Sequence, residues 1–193
     1  MKDKDFAATP EFMESIKDDP MQIFYHQQLI DYIKDIDLSG RILDIGERNP
    51  LTRKLEDHFG IEIDNTIGDL DETFIPNRFE YDVIIFSQVI EHLFNPLFCL
   101  ENIKRVMHKN SVLIIGTPIK PGHITTNFRH FHEMDEYRFK KLIQRAGLRI
   151  IDWQKNYAYN NINWKSFTGV RPFLKMFYKR TSYVKCIKQE EQK

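Results

Sequence analysis

The chain has 193 residues, of which 41% are hydrophobic and 29% charged, the balance of an ordinary globular protein with room for one domain and one core. Lysine plus arginine and aspartate plus glutamate both total 28, so no overall basic field draws the protein to nucleic acid. The amino terminus is charged, and nowhere do the roughly 20 consecutive apolar residues of a membrane span occur, which leaves the cytoplasm as the expected location.

Residues 1–20 are polar and interrupted by prolines, and read as a flexible arm before a single domain over 21–188 and a charged tail at 189–193. In 21–36 the apolar residues Ile23, Phe24, Leu29, Ile30, Ile33 and Ile36 recur at helical spacing, predicting an amphipathic helix that ends near Ser39-Gly40. A short apolar strand is expected at 41–45, followed by Gly46, a polar turn and a helix over 51–59 that Gly60 stops. Alternation of Ile61, Ile63 and Ile67 with Glu62, Asp64 and Thr66 predicts a half-exposed strand over 61–67.

A loop over 68–80 leads to YDVIIF at 81–86, a run apolar enough for a central parallel strand covered on both faces. Asn95-Pro96 has the form of a helix start, with Leu97, Leu100, Ile103, Val106 and Met107 as its inward stripe, and Lys109-Asn110 as the turn after it. Further strands are expected at 111–115, 148–153 and 182–187, with helices at 135–146 and near 171–178. Strands alternating with helices predict an α/β doubly wound, mostly parallel sheet. The two cysteines, Cys99 and Cys186, lie far apart and outside any C-x-x-C pair, so buried thiols are expected.

Ligands of open parallel sheets bind beyond the carboxyl ends of the strands, where the strand order reverses. Three such ends carry polar residues: Asp44 to Gly46, Gly68 to Asp71, and Ser87 to His92. There the sequence resembles the class I S-adenosylmethionine-dependent methyltransferases, in particular short bacterial members whose fourth strand reads into an E-H dipeptide. RILDIG at 41–46 is similar to the first cofactor motif, YDVIIFSQVIEHL at 81–93 to the fourth-strand motif, and 95–118 to the following helix and fifth strand with its terminal T-P. HEMDEYRFKKLIQRAGLRIIDW at 132–153 is similar to the late helix and sixth strand, and 182–187 to the antiparallel last strand.

The resemblance implies a Rossmann-like sheet of the seven-stranded type, with elements missing or shortened between strands 2 and 4. It implies S-adenosylmethionine as cofactor and S-adenosylhomocysteine as product. The cofactor-binding residues it implies are Asp44, Gly46, Glu47, Asn49, Asp64, Asp69, Leu70, Ser87 and Gln88. Gly46 would admit the methionine end, and an acidic residue would accept the ribose hydroxyls, with Asp69 favoured over Glu62, Asp64 and Asp71. Only one glycine of the family's G-x-G-x-G run survives, in Gly46-Glu47-Arg48-Asn49-Pro50, so the loop is expected to take another path, with Asn49 capping a helix that begins at Pro50.

His92 and His132 are the candidate general bases for a hydroxyl or amine acceptor. The expected acceptor is a small molecule or a glycan, without nucleic acid, and no oligomeric state is implied. Two further readings fit the same residues: a methyltransferase-fold binding or scaffold protein without catalysis, and a metal-dependent hydrolase built on His130-Phe131-His132-Glu133. For the latter the two histidines would have to share one face of a strand. The preferred reading contains no metal. Aromatic and basic residues at 171–185 read as a helical stripe packed on the sheet, with a surface for an anionic lipid or polyanionic acceptor as the alternative, and 156–169 as a lid or surface loop.

Overall fold

Three helices begin with the same device, an Asx side chain placed before a proline. In the computed structural model, which describes residues 14–15, 17–119, 130–157 and 180–189, helix α1 (Pro20–Ile33) follows Asp19, α2 (Pro50–Phe59) follows Asn49, and α3 (Pro96–Val106) follows Asn95. In each case the Asx oxygen accepts a backbone N–H of the first turn, while proline occupies a position whose missing N–H costs nothing. The fourth, α4 (Glu136–Arg145), has Asp135 as cap, accepting from Arg138 N at 2.8 Å.

The strands are β1 (Ile42–Asp44), β2 (Ile63–Asn65), β3 (Tyr81–Ser87), β4 (Met107–Ile119), β5 (Leu148–Tyr157) and β6 (Arg180–Lys188). They form one sheet in the order β2-β1-β3-β4-β6-β5. The first four are parallel, and β6 runs antiparallel to both β4 and β5. The α/β doubly wound sheet and its antiparallel last strand are thus as expected, with six strands among the described residues. Between β2 and β3 there is no helix and no further strand, only a turn and an isolated bridge from Ile67 to Ile75, which is the anticipated shortening.

Residues of β1, β3, β4 and β6 feed two apolar layers, while β2 and β5 each contribute to one. Leu43, Ile84, Phe86, Leu113, Ile115 and Val184 pack with Cys99, Leu100 and Ile103 of α3 and Phe139 and Ile143 of α4. Ile42, Ile63, Val83, Ile85, Ile114 and Tyr183 pack with Leu29, Ile30 and Ile33 of α1 and Leu51 and Leu55 of α2. The single core expected from chain length is therefore two layers divided by the sheet. Both cysteines are free and buried.

Some boundaries differ from those predicted. The strand expected over 61–67 shrinks to three residues, because Ile61 N still donates to Glu56 O of α2 and the Thr66 side chain is taken by Gly46. Helix α1 stops at Ile33, with Ile36 N closing a turn onto Ile33 O. The turn expected at Lys109-Asn110 lies inside β4, where pairing jumps from Tyr81↔Met107 to Val83↔Val112. The extra residues are tied in by Ser111, which accepts from His108 N at 2.7 Å and donates to Tyr81 O at 2.6 Å. The helix expected near 171–178, most of the lid segment at 156–169 and most of the arm at 1–20 lie outside the described residues.

Candidate cofactor and active site

The strand order reverses at β1: β2 lies on one side and β3 on the other. The register brings Asp44 opposite both Asn65 and Ile85, so the carboxyl ends of all three strands open at one place. Between β1 and α2 the chain makes a turn whose pivot is Gly46, at φ +113, where any other residue would be strained. A Cβ added there would meet nothing within 4 Å, so the space beside this backbone is open. Gly46 N donates to the hydroxyl of Thr66 at 2.8 Å, and Asn65 Nδ2 donates to Gly46 O at 3.1 Å. The β2 end therefore holds the β1 loop.

The residues replacing the missing glycines make α2 instead of a longer loop. Asn49 Oδ1 accepts from Leu51 N and Thr52 N at 2.9 and 3.3 Å, so Asn49 caps the helix that begins at Pro50 as the sequence predicted, and Thr52 completes a capping box that it did not. Arg48 is drawn onto α2 by a paired contact with Glu56, which also accepts Ile63 N at 3.1 Å. Beneath them Asp44, 2% exposed, accepts the Thr52 hydroxyl at 2.7 Å. Burial pushes the Asp44 carboxyl up to about 7, against hydrogen bonds from Thr52, Asn65 and Asn49. Glu47, Arg48, Ile63, Asp64, Asn65, Thr66, Ile67 and Asn77 line a cleft of about 640 Å³ on this side of the sheet. That volume lies within the range of about 300–1,000 Å³ usual for small-molecule sites.

The acidic candidates separate clearly. Glu62 precedes β2, is exposed, and is not among the residues that line the cleft. Asp71 accepts Phe94 N and Asn95 N at 3.0 and 2.7 Å, so both its oxygens fasten the start of α3. Asp64 lines the cleft but accepts from Arg78 Nε at 2.8 Å, Tyr81 OH at 3.1 Å and Asn77 Nδ2 at 3.3 Å. Burial raises its pKa, but these bonds and the Arg78 charge outweigh it and hold Asp64 below the usual range. Asp69 is exposed, with Oδ1 accepting Asp71 N in a tight turn, and Leu70 is buried under that turn.

Beyond β3, Gln88 stands at φ +57 with its N–H on Gly116 O at 2.6 Å. A left-handed non-glycine residue is uncommon and concentrates at functional sites. The buried side-chain atoms without a hydrogen-bond partner among the described residues include Gln88 Nε2 and Asn65 Oδ1. Asn65 and Thr66 escaped the sequence analysis. The one signal for them was two adjacent polar residues at the end of a strand.

The 3-10 turn Ile90–His92 follows Gln88. His92 meets His130 edge to face, with ring centroids 4.8 Å apart. Glu91, 1% exposed, accepts the Thr117 hydroxyl at 3.1 Å. Burial, and after it the negative charge of Glu133, push Glu91 up to about 8, against its own backbone N–H and Thr117. The His130-Phe131-His132-Glu133 run does not form a strand. His130 Nδ1 lies 2.8 Å from Glu133 Oε1, whereas His132 Nε2 is 3.2 Å from the carbonyl of Phe94, to which it must donate. The pairing of His130 with His132 expected for a hydrolase is therefore replaced by His130 with His92.

Fold and strand order together are those of the class I methyltransferases, Rossmann-like domains with an antiparallel final strand. Compared by sequence, the chain matches no family model and no curated protein. Compared by structure, it is similar to a SAM-dependent methyltransferase from Archaeoglobus fulgidus (TM-score 0.62, 15% identity, 93% of this chain and 100% of that one). It is also similar to coclaurine N-methyltransferase bound to N-methylheliamine and S-adenosylhomocysteine (TM-score 0.59, 11% identity, 86% and 72% covered). A third similar structure is an N-methyltransferase of Haemonchus contortus in complex with phosphomonomethylethanolamine and S-adenosylhomocysteine (TM-score 0.65, 12% identity, 97% and 60% covered). At these identities the likeness is one of fold.

Proposed function

We propose that the protein is an S-adenosylmethionine-dependent methyltransferase acting on a small-molecule or glycan-type acceptor, with a cytoplasmic location. The observation that carries this reading is the pair of buried, unpartnered amide atoms, Asn65 Oδ1 and Gln88 Nε2, on either side of β1 and its open Gly46 turn. Buried polar atoms without partners are costly, and a donor and an acceptor flanking an open backbone suit a ligand rich in both. The similar structures solved with S-adenosylhomocysteine support the choice of ligand.

In this reading the Gly46 backbone and Gln88 hold the methionine end, the cleft takes the adenosine, and Asp69 and Asn65 are the acceptors for its hydroxyl and amino groups. Glu47 and Asp64 are walls of the cleft, Asn49, Leu70 and Ser87 are assigned to the cofactor's surroundings by the family resemblance, and Asp44 fixes the turn through Thr52. When bound, S-adenosylmethionine supplies an electrophilic methyl group on a sulfonium. The chain's own contribution is to place an acceptor atom in line with it. His92 stands at the end of β3 as the base for an acceptor proton, with His132 as the alternative.

Calorimetry with S-adenosylhomocysteine tests the proposal. We expect saturable binding that Gln88→Gly weakens about tenfold, the cost of one lost hydrogen bond to a buried group. Relief of the left-handed strain should keep the stability of that variant within about 1 kcal/mol of wild type. An absence of heat and of thermal stabilisation at millimolar ligand would refute the reading.

A further inference from the structure

A second group of side chains gathers at the carboxyl end of β3, and a cofactor site leaves most of it unexplained. Glu91 and His92 come from the 3-10 turn, and His130 from the segment before α4. That segment is brought there by the backbone: Glu91 O accepts Phe131 N at 2.9 Å and His132 N at 3.1 Å. One ligand atom from each of Glu91, His92 and His130 lies within 4.8 Å of the others. We propose that Glu91, His92 and His130 bind one divalent transition-metal cation, with Glu133 orienting His130.

The donor chemistry supports it. Two imidazoles and a carboxylate are the mixed nitrogen and oxygen set that zinc, iron(II), cobalt(II) and manganese(II) accept. Two ligands each about 2.1 Å from an ion stand at most about 4.2 Å apart, so side-chain adjustment closes the cluster without moving the backbone. The second observation is Glu133. Its carboxylate receives His130 Nδ1–H at 2.8 Å, with the two side chains 5% and 14% exposed. A neutral imidazole that gives Nδ1–H to a carboxylate keeps its lone pair on Nε2, which is the support arrangement of metal-bound histidines. Thr117 in the same way holds one oxygen of Glu91 and leaves the carboxylate oriented.

The three ligands come from two separate stretches of chain, and His132, which sequence spacing would have paired with His130, is not among them. Three protein ligands leave coordination positions open to water or an acceptor hydroxyl. A metal-held hydroxyl loses its proton more readily than a free one, so His92 would then act through the ion and not as a base. That use of the ion rests on the methyl-transfer reading; the binding of the metal does not.

The test titrates the metal-depleted full chain with zinc chloride alone, with no S-adenosylhomocysteine present, followed by cobalt(II) for its visible spectrum. The expected result is one ion per chain and cobalt bands of a low-symmetry site containing nitrogen ligands. Glu91→Gln and His130→Ala should each weaken zinc binding at least tenfold, Glu133→Gln by about 10- to 100-fold, and His132→Ala should leave it unchanged. Wild-type protein that shows no saturable zinc binding overturns the proposal whatever the variants do, as does stoichiometric binding that survives His92→Ala and His130→Ala together. Either result leaves cofactor binding, measured separately, to stand or fall by itself.

Discussion

Asp44 shows how much one buried residue can decide. Its carboxyl is pushed up to about 7 because it is desolvated, and its hydrogen bonds recover only part of the loss. A folded-state pKa above the unfolded value means that the native state holds the extra proton. The stability this contributes is complete below about pH 4 and is lost as pH rises through about 7. Asp44→Asn, which can still accept from Thr52, should therefore remove that dependence. We expect the urea midpoint of wild type to fall relative to that of the variant between pH 4 and 7, with the gap constant above pH 7.5. Parallel curves would show that Asp44 is ionised throughout.

At the scale of elements, the loop after β1 illustrates what the sequence disclosed. Asn49-Pro50 is a local signal, complete within two residues, and the cap formed where it was expected. Asn49→Ala should cost about 1 kcal/mol of stability by urea denaturation, with a larger relative loss of S-adenosylhomocysteine affinity because the same turn carries Gly46. Strand ends were less legible. The 61–67 alternation met the rule for a half-exposed strand, yet Glu56 and Gly46 captured Ile61 and Thr66. The continuation of β4 through Met107 depended on Ser111 reaching Tyr81, a contact 30 residues away in sequence. Local patterns carry no information on such competition.

At the scale of the whole molecule, the sheet is the common wall of both apolar layers, so damage to its centre should be felt on each side. Phe86 is fully buried in the layer packed by α3 and α4. Phe86→Ala should cost about 3–5 kcal/mol, and far-ultraviolet dichroism and tryptophan fluorescence should still lose structure at one common denaturant concentration. Separated transitions would mean that the layers unfold independently.

The sequence by itself determined the alternation of strands and helices, the caps at Asn49 and Asn95, the central position of YDVIIF and the three strand ends that carry polar residues. Those follow from periodicity and from interactions within a few residues, which composition and order encode directly. Tertiary structure alone decided which polar residues meet. It spent Asp71 on the start of α3, exposed the need of Asn65 and Gln88 for partners, and joined His130 to His92 and Glu91 instead of to His132. Each of these depends on register and on contacts between distant segments, where one backbone hydrogen bond, such as Phe131 N to Glu91 O, places a side chain that no spacing rule can locate.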